Sequence, residues 1–218
     1  MTETQRESRQ KPRRRPRQAR SWATSLAIQE AFVRVLLERG YERTPIREVA
    51  LVAGVGIGTF YEYFPNKEAL AAVCLRTRMK AVVAQLATLA AEPAHSTLGS
   101  LVDAMLDELV RSFTTDATQW AALLQLERRI STPAAYQKLY RMALDMWAGA
   151  LGGARTWTAR VSVEEVAYVL HTASYSLVTQ RVMLDAERTD AAALRRQVGV
   201  MVHAYLDAVT GKVPSKIT

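Results

Sequence analysis

The chain has 218 residues, of which 49% are hydrophobic, and it carries a formal net charge of +8. This length suffices for one or two domains with a sizeable core, and many Ala and Leu residues without long β-branched runs predict an all-α fold of about nine helices. No apolar run approaches the roughly 18 residues that span a membrane, and no apolar segment follows the basic N-terminus. We therefore expect no signal peptide and a cytoplasmic protein.

Positive charge is concentrated at the N-terminus. Residues 1–20 hold eight basic and two acidic residues, which gives +6 of the total of +8. Few apolar residues and two prolines predict that this arm is disordered in isolation. The arm either contacts the phosphates or minor groove of DNA, through residues such as Arg13, Arg14 and Arg15, or only keeps the chain in solution. DNA contact is favoured because the arm leads directly into the module described next.

A first helix is predicted from about Trp22 to Arg39. One face is apolar at helical spacing, and Gly40 is a natural stop because glycine adopts the left-handed conformation at low cost. The apolar positions of this face are Ile28, Ala31, Phe32, Val35 and Leu36.

A short second helix follows. Thr44 can cap its N-terminus and Pro45 suits its first turn, where a missing N–H costs nothing. Gly54 is expected to end it in a left-handed conformation. Its apolar face consists of Ile46, Val49, Ala50 and Ala53.

A third short helix is predicted over 57–64, after a tight turn. Phe60 and Phe64 are four residues apart and can share an inward face. Pro65 stops this helix, and Asn66 can cap the next one. The helix dipole disfavours the cation of Lys67 at that N-terminus, and a bound DNA phosphate would offset this unfavourable interaction. Two short helices joined by a tight turn are the layout of a helix-turn-helix DNA reader.

Residues 53–70 read AGVGIGTFYEYFPNKEAL and resemble the TetR family of transcriptional regulators. The similarity extends over about residues 22–75. It implies a three-helix DNA-binding domain over residues 21–75, with the helix-turn-helix at about 45–64. The remaining residues, 76–218, would then form an effector-binding and dimerisation domain.

The resemblance implies DNA contacts at matching positions, namely Arg47, Gly58, Thr59, Tyr61, Tyr63 and Lys67. Arg47 has an alternative role as a solvated charge paired with Glu48 or Glu42, and Tyr61 has one as a partly buried core residue. The predicted reader helix carries Glu62 and no Arg or Lys, so bidentate reading of guanine must come from elsewhere.

Six further helices are predicted in the remainder. The fourth runs from Lys67 to about Ala90, the fifth is amphipathic from Leu98, and the others are opened by Asp116, Thr132, Ser162 and Asp190. The helix over about 163–186 is apolar on more than one face, so both faces must be covered. The resemblance implies a homodimer through 163–186 and 190–210, whereas the alternative is an ordinary core helix of a monomer.

An effector pocket is implied by the same resemblance. Large aromatic side chains with a few polar tips suit an apolar ligand with one oriented polar group, although each of these residues taken alone is more often core. The candidates are Trp120, Met142, Met146, Trp147, His171 and Tyr175. His95, His171 and His203 show no metal-ligand spacing, so we expect neither a metal nor a cofactor. Cys74 is a core filler or, alternatively, a redox-sensing thiol.

These observations favour a sequence-specific transcriptional regulator, most simply a repressor that a small apolar or amphipathic effector releases from its operator. An enzyme is disfavoured because no Ser/His/Asp arrangement, phosphate loop or metal cluster is visible. A non-specific DNA binder acting through the basic arm, or a helical interaction protein without an effector, is the alternative.

Overall fold

The computed structural model describes residues 15–92, 95, 97–153 and 161–211, with side chains from Arg20 onward except that of Arg128. All regular structure in these ranges is helical, which confirms the predicted all-α class. Nine helices are described: α1 Arg15–Arg39, α2 Ile46–Val52, α3 Ile57–Tyr63, α4 Lys67–Ala90, α5 Leu98–Thr114, α6 Ala117–Ile130, α7 Pro133–Gly152, α8 Val163–Leu184 and α9 Ala191–Thr210.

The N-terminal helices pack around a small aromatic core. Phe32 of α1 and Phe60 of α3 are fully buried, and Phe64 lies 6.0 Å from Phe60 between ring centroids. Leu70 of α4 is buried in the same cluster. The predicted inward face of the third helix is therefore present, and it fixes α2 and α3 against α1 and the start of α4.

The first helix begins earlier than predicted, at Arg15 rather than Trp22. Residues 15–20 therefore belong to α1 and not to a disordered arm. Arg, Gln and Ala favour helix in the interior, and Pro16 is tolerated in a first turn because the missing N–H would have no helical partner there. Residues 1–14 lie outside the described part of the chain.

Side-chain caps account for most of the helix starts. Asn66 accepts from the amide of Ala69 at 2.7 Å, and Asp190 accepts from the amides of Ala192 and Ala193. Thr97, Thr132 and Ser162 accept in the same way at the starts of α5, α7 and α8. These bonds satisfy amides that have no partner within the helix.

Two predicted caps are wrong. Thr44 does not cap α2: Pro45 occupies the N-cap position, and the Thr44 hydroxyl donates to the carbonyl of Gly40 at 2.8 Å. Asp116 occupies the N-cap position of α6 but makes no capping hydrogen bond. A threonine can bond a carbonyl four residues earlier as readily as a following amide, so the sequence alone does not decide between the two.

The C-terminal helices continue the same hydrophobic core. α5 contributes Leu101, Val102, Met105, Leu106 and Leu109, which are buried along one stripe. α8 packs on α5, α6 and α7, and α9 packs on α5 and α8. Within the described ranges, no helix is long and apolar enough to cross a membrane.

The contact between α5 and α9 includes a charged network. Arg195 donates to Asp103 at 2.7 Å and to Asp107 at 2.5 Å, and His203 bonds Asp103 at 2.8 Å. The guanidinium and imidazole lower the pKa of Asp103, against the upward effect of its burial. The network fixes the rotation of α9 about its axis and so determines which of its faces stays exposed.

Candidate nucleic-acid interface and ligand cavity

The turn between α2 and α3 has the geometry of a helix-turn-helix. Gly54 has a φ of +67°, which L side chains rarely adopt, and so the predicted left-handed stop is present. The amide of Val55 then donates to the carbonyl of Ala50 at 3.0 Å and closes the turn. α3 is thereby held at a fixed angle to α2, with its outer surface open.

Arg47 lies on the exposed surface of α2. The carboxylates that could have paired with it are engaged elsewhere: Glu48 pairs with Arg39 at 2.5 Å, and Glu42 pairs with Arg129. Among the side chains that the structure describes, none forms an ion pair with Arg47. Its guanidinium is therefore available to an external anion or base edge.

The outer surface of α3 combines an open backbone with hydroxyl groups. Gly58 is exposed, and a Cβ added there would meet nothing within 4 Å. Thr59 is half-buried, while Tyr61 is 53% exposed and its ring meets that of Phe60 edge-on at 5.5 Å. Tyr63 packs partly on the core. Tyr61 thus has the greater reach towards a phosphate.

This surface also exposes two apolar residues that the sequence pattern did not single out. Leu51 on α2 is 78% exposed, and Ile57 in the first turn of α3 is 43% exposed. Both side chains lie outside the apolar faces of their helices. An apolar residue at such a position is the sequence signal that could have identified them. Apolar side chains at a reader surface can contact thymine methyl groups.

Lys67 is engaged within the protein. Its ammonium donates to the carbonyl of Tyr41 at 2.8 Å and lies 4.3 Å from the centroid of that ring. These contacts offset the unfavourable position of a cation at a helix N-terminus in the absence of DNA. Of the predicted arm contacts, Arg13 and Arg14 lie outside the described residues, and Arg15 begins α1 without a described side chain.

A mostly apolar cavity lies among α4, α5, α6, α7 and α8. Traced by the centre of a water molecule, its volume is about 40 Å³, which is room for about three waters. Four of the six predicted pocket residues line it, namely Met146, Trp147, His171 and Tyr175. Residues of α4 line the opposite wall, among them Met79, Val82 and Leu86.

Trp120 and Met142 do not line this cavity. The Trp120 indole donates to the carbonyl of Ser112 at 2.8 Å, and its ring packs at 4.4 Å on Phe113, which itself lines the cavity. Met142 lies in a separate surface groove with Arg76 and Lys80. Helical phase distinguishes inward from outward positions, but it does not show which buried residues adjoin a void.

Two polar atoms of the cavity lining have no described hydrogen-bond partner, Trp147 Nε1 and His171 Nδ1. Burial lowers the pKa of His171 to about 4, so the imidazole is neutral at pH 7. Burial also raises the pKa of Tyr175, so this phenol is neutral as well. A buried N–H without a partner is costly, and a ligand acceptor near Trp147 would relieve that cost.

A wider cleft of about 720 Å³ adjoins the cavity on its solvent side, between α6, α7 and α8. We call it the outer cleft; it is lined mainly by polar residues, including Gln125, Thr172, Ser176 and Gln180. Four side chains line both spaces and separate them: Glu127, Tyr136, Tyr140 and Tyr175. The hydroxyl of Tyr140 is hydrogen-bonded to that of Thr172, which holds one side of this partition.

A cluster around Tyr41 joins the N-terminal helices to α6; we call these contacts, made by Tyr41, Glu42, Lys67, Glu68 and Arg129, the Tyr41 clasp. The Tyr41 hydroxyl bonds Glu68 at 3.2 Å, and Arg129 lies 5.3 Å from the ring centroid while pairing with Glu42. Burial and the Glu68 carboxylate raise the pKa of Tyr41 to about 12.

Cys74 and the histidines show no reactive arrangement. Cys74 is buried, and burial raises its pKa to about 12, which suppresses the thiolate needed for redox chemistry. This environment favours the interpretation of Cys74 as a core residue. Within the described ranges, no three His, Cys, Asp or Glu side chains are placed to hold a metal ion.

The arrangement of α1–α4 defines a helix-turn-helix DNA-binding module that is packed through α4 and α6 onto the remaining helices. Residues 28–74 match the model of the bacterial regulatory proteins of the tetR family. The N-terminal helices thus carry the DNA-binding module of the TetR family of transcriptional regulators.

Solved structures share the whole fold. A TetR-family regulator from Mesorhizobium loti has a TM-score of 0.68 at 18% identity, over 87% of this chain and 98% of that one. A TetR-family regulator from Streptomyces coelicolor has a TM-score of 0.63 at 22% sequence identity, over 87% of this chain and 98% of that one. FadR from Bacillus subtilis, solved in complex with stearoyl-CoA, has a TM-score of 0.63 at 22% sequence identity, over 81% of this chain and 96% of that one. No curated protein matches the chain significantly.

Proposed function

We propose that this protein is a homodimeric repressor that binds a two-fold operator through α2 and α3. A small apolar or amphipathic molecule entering the cavity would release it. DNA contacts are assigned to Arg47, Gly58, Thr59, Tyr61 and Tyr63. Lys67 and the basic arm would add phosphate contacts, since an ammonium retains further N–H groups while donating to Tyr41.

One observation carries this proposal: α6 contributes to both the cavity and the Tyr41 clasp. Glu127 lines the cavity, and two residues later Arg129 binds Glu42 in the loop before α2. α4 repeats this arrangement, since Val82 lines the cavity while Lys67 and Glu68 contact Tyr41. A ligand that separates these helices would therefore move the groups that hold the reader.

The small size of the cavity supports a coupled mechanism. Ligand sites for drug-sized molecules commonly have about 300–1,000 Å³, whereas this cavity has about 40 Å³. A ligand would need the helices to separate, and that separation differs between the ligand-bound and DNA-bound states. Differential affinity for two states is the requirement for release by a ligand.

The stearoyl-CoA bound by Bacillus subtilis FadR suggests a fatty acyl-CoA as one ligand class to test. The phosphates of such a ligand require basic partners. None of the described side chains that line the cavity or the outer cleft is Lys or Arg. The apolar part of that ligand suits this cavity, and its anionic part does not.

The homodimer is assigned to the outer faces of α8 and α9. Leu177 and Leu184 of α8 are exposed, the latter by 79%, and Val200 of α9 is 61% exposed. Ala204 and Ala208 continue the α9 face and would permit close helix approach. A second copy would bury this face and present two reader helices about 34 Å apart.

Selection of random duplexes at fixed, near-physiological salt tests the DNA-binding part of the proposal. We expect recovery of a two-fold symmetric motif. Fixed salt is essential because a basic arm alone retains any DNA at low ionic strength. Recovery of bound DNA without a motif would contradict operator recognition and favour non-specific binding. The Arg13→Ala, Arg14→Ala, Arg15→Ala triple variant then distinguishes the two sources of affinity.

A further inference from the structure

A wide groove on the outer surface of the helical body concentrates positive charge. It lies between α4 and α7, which pack on each other, and has a volume of about 930 Å³. Arg76 and Lys80 line one wall, and Lys138 and Arg141 line the other. Asp145 is the one carboxylate of the described lining, and all five side chains are exposed. We call this space the basic groove.

The charge of the basic groove stands out against the rest of the chain. Residues 21–218 have a net charge of only +2, because the first twenty residues hold +6 of the total of +8. The groove lining has four basic residues and one acidic residue, which gives +3. The remainder of residues 21–218 therefore sums to −1, so the excess positive charge of this part of the chain lies in the groove.

The four cations of the basic groove are not used within the protein. Among the side chains that the structure describes, none forms an ion pair or a hydrogen bond with them. By contrast, Arg195 on α9 binds two carboxylates, and Arg129 on α6 binds Glu42. Cations that share a groove without counter-charges repel one another, and a bound anion would relieve that repulsion.

The arrangement of the cations on two walls selects the kind of anion. An exposed ion pair contributes at most about fivefold in affinity, so a small ion that meets one wall would be held weakly. A multiply charged anion can contact both walls at once, and phosphate oxygens accept hydrogen bonds from Arg and Lys. A DNA duplex would touch only the rim, because the axes of packed helices are about 8–10 Å apart.

We infer that the basic groove is a second ligand site, for a small oligophosphate anion that bridges α4 and α7. The site differs from the cavity, since Leu139 is the one described residue that lines both spaces. Ala134 and Met142 add apolar surface to the groove, which could receive a nucleoside attached to the phosphates. A bridging anion would also oppose the helix separation that entry of an effector requires. That consequence rests on the function proposed above, whereas the site itself does not.

Binding of tripolyphosphate to the full chain tests the inference. Isothermal titration calorimetry at fixed pH and ionic strength measures it, because salt screens exposed charges. We expect tripolyphosphate to bind at least about fivefold more tightly than orthophosphate, since only the longer anion contacts both walls. Adenosine triphosphate has the same triphosphate and distinguishes the two sources of such a ligand. Tighter binding than tripolyphosphate would assign the apolar surface to a nucleoside, and equal binding would assign the groove to the phosphates alone.

Variants with opposite expected effects locate the bound anion. Lys80→Gln and Lys138→Gln remove one cation from each wall, and each should weaken tripolyphosphate binding about fivefold. Asp145→Asn removes the carboxylate and should strengthen binding, an effect that a folding defect would not produce. Arg188→Gln removes an exposed cation between α8 and α9 and should leave binding unchanged.

Several results would overturn the inference. Equal affinity for tripolyphosphate and orthophosphate would do so, and so would weaker binding in Asp145→Asn. Binding that the Arg13→Ala, Arg14→Ala, Arg15→Ala variant loses and Lys80→Gln retains would assign the anion to the arm instead. Tighter binding of a short duplex or a polyglutamate peptide, dependent on Lys80, would assign the groove to a macromolecule.

Operator affinity separates this inference from the proposed function. In buffer without oligophosphate, variants of the groove, Arg141→Ala included, should bind operator normally, because these side chains make no described contact. Tripolyphosphate binding that depends on Lys80 and Lys138 in a protein without an operator would contradict the proposed function alone. Operator recognition without such tripolyphosphate binding would contradict the anion site alone.

Discussion

Individual residues of the reader differ in how firmly the rest of the protein holds them. Arg47 is exposed and has no described ion-pair partner, whereas the neighbouring Glu48 and Glu42 are neutralised by Arg39 and Arg129. Neutralised carboxylates reduce repulsion of a DNA backbone. The electrostatic character of this surface therefore comes from the pairing pattern as well as from its composition.

Replacing Arg47 by Ala should lower operator affinity about tenfold or more while leaving the free energy of unfolding unchanged, because no described contact is lost. Quantitative binding at several salt concentrations measures this effect. A phosphate contact predicts a salt slope smaller by about one, and a base contact predicts relaxed specificity at one position. Arg141→Ala, an exposed arginine on α7, is the matched control.

Gly58 and Gly54 provide a contrast between function and conformation. Gly58→Ala should raise the stability of α3 by up to about 1 kcal/mol, because a Cβ meets nothing there and Ala favours helix. The same change should lower operator affinity, since the backbone would be held away from the groove. Gly54→Ala should instead destabilise the protein by about 1–2 kcal/mol, because of the positive φ. Thermal unfolding measures the stability of both variants, and operator titration measures their affinity for DNA. Unchanged affinity in Gly58→Ala would contradict a close approach of the α3 backbone to the groove.

His171 should make stability dependent on pH. Its pKa is about 4 in the folded protein and near 6.5 in the unfolded chain, so both forms are neutral above pH 6.5. Below 6.5 the unfolded chain takes up the proton first, and the free energy of unfolding should fall by about 1.5 kcal/mol between pH 6.5 and 5. Urea unfolding across this range measures the slope. His171→Phe should remove this contribution, and an identical slope in the variant would contradict the assignment.

At the scale of elements, the sequence was most informative where an apolar stripe ended at a capping residue. Asn66 marked the start of α4, and the predicted bounds, Lys67 to about Ala90, are those that the structure has. The start of α1 was missed because Arg, Gln and Ala have helical propensity without apolar periodicity. Propensity is local, whereas the periodic pattern reports burial.

The cavity was only partly predictable for a related reason. Met146, Trp147, His171 and Tyr175 were recognised as aromatic or polarisable groups on buried faces. Glu127 was not, since a lone carboxylate on an amphipathic helix is usually solvated. The pairing of Arg129 with Glu42, 87 residues away, depends on tertiary packing that helical phase does not encode.

The Tyr41 clasp should behave as one unit. Arg129→Ala should accelerate hydrogen exchange of amides in the loop between α1 and α2, because the loop loses its contact with α6. Glu42→Ala should have the same effect, and the double variant should add little, since both changes remove one contact. Exchange measured by mass spectrometry tests this prediction, with Arg141→Ala as control. Additive effects would mean that the two residues act separately.

At the scale of the whole molecule, the cavity and the helix-turn-helix surface share a small number of helices. α4 and α6 reach from the cavity to the reader, while α8 lines the cavity on one side and exposes Leu177 and Leu184 on the other. Separation of the helices around the cavity would therefore change the orientation of each helix-turn-helix. It would also change the surface of α8 that is assigned to the partner copy. In a two-fold dimer, a small rotation of each subunit changes the distance between the two readers, which a fixed operator spacing penalises.

Val200→Glu should separate the subunits without unfolding them. Val200 is 61% exposed in the single chain, so a carboxylate is tolerated there, but it would be buried without a counter-charge between two copies. Sedimentation analysis should then give a monomer with unchanged helical content, where the unmodified protein gives a dimer. Operator affinity should fall by about 10²-fold or more, because each reader would bind one half-site without the local concentration that its partner provides. Gln137→Glu, which adds the same charge at an exposed position of α7, should remain dimeric and bind normally. A dimer that persists in Val200→Glu with full operator affinity would place the subunit contact on another face.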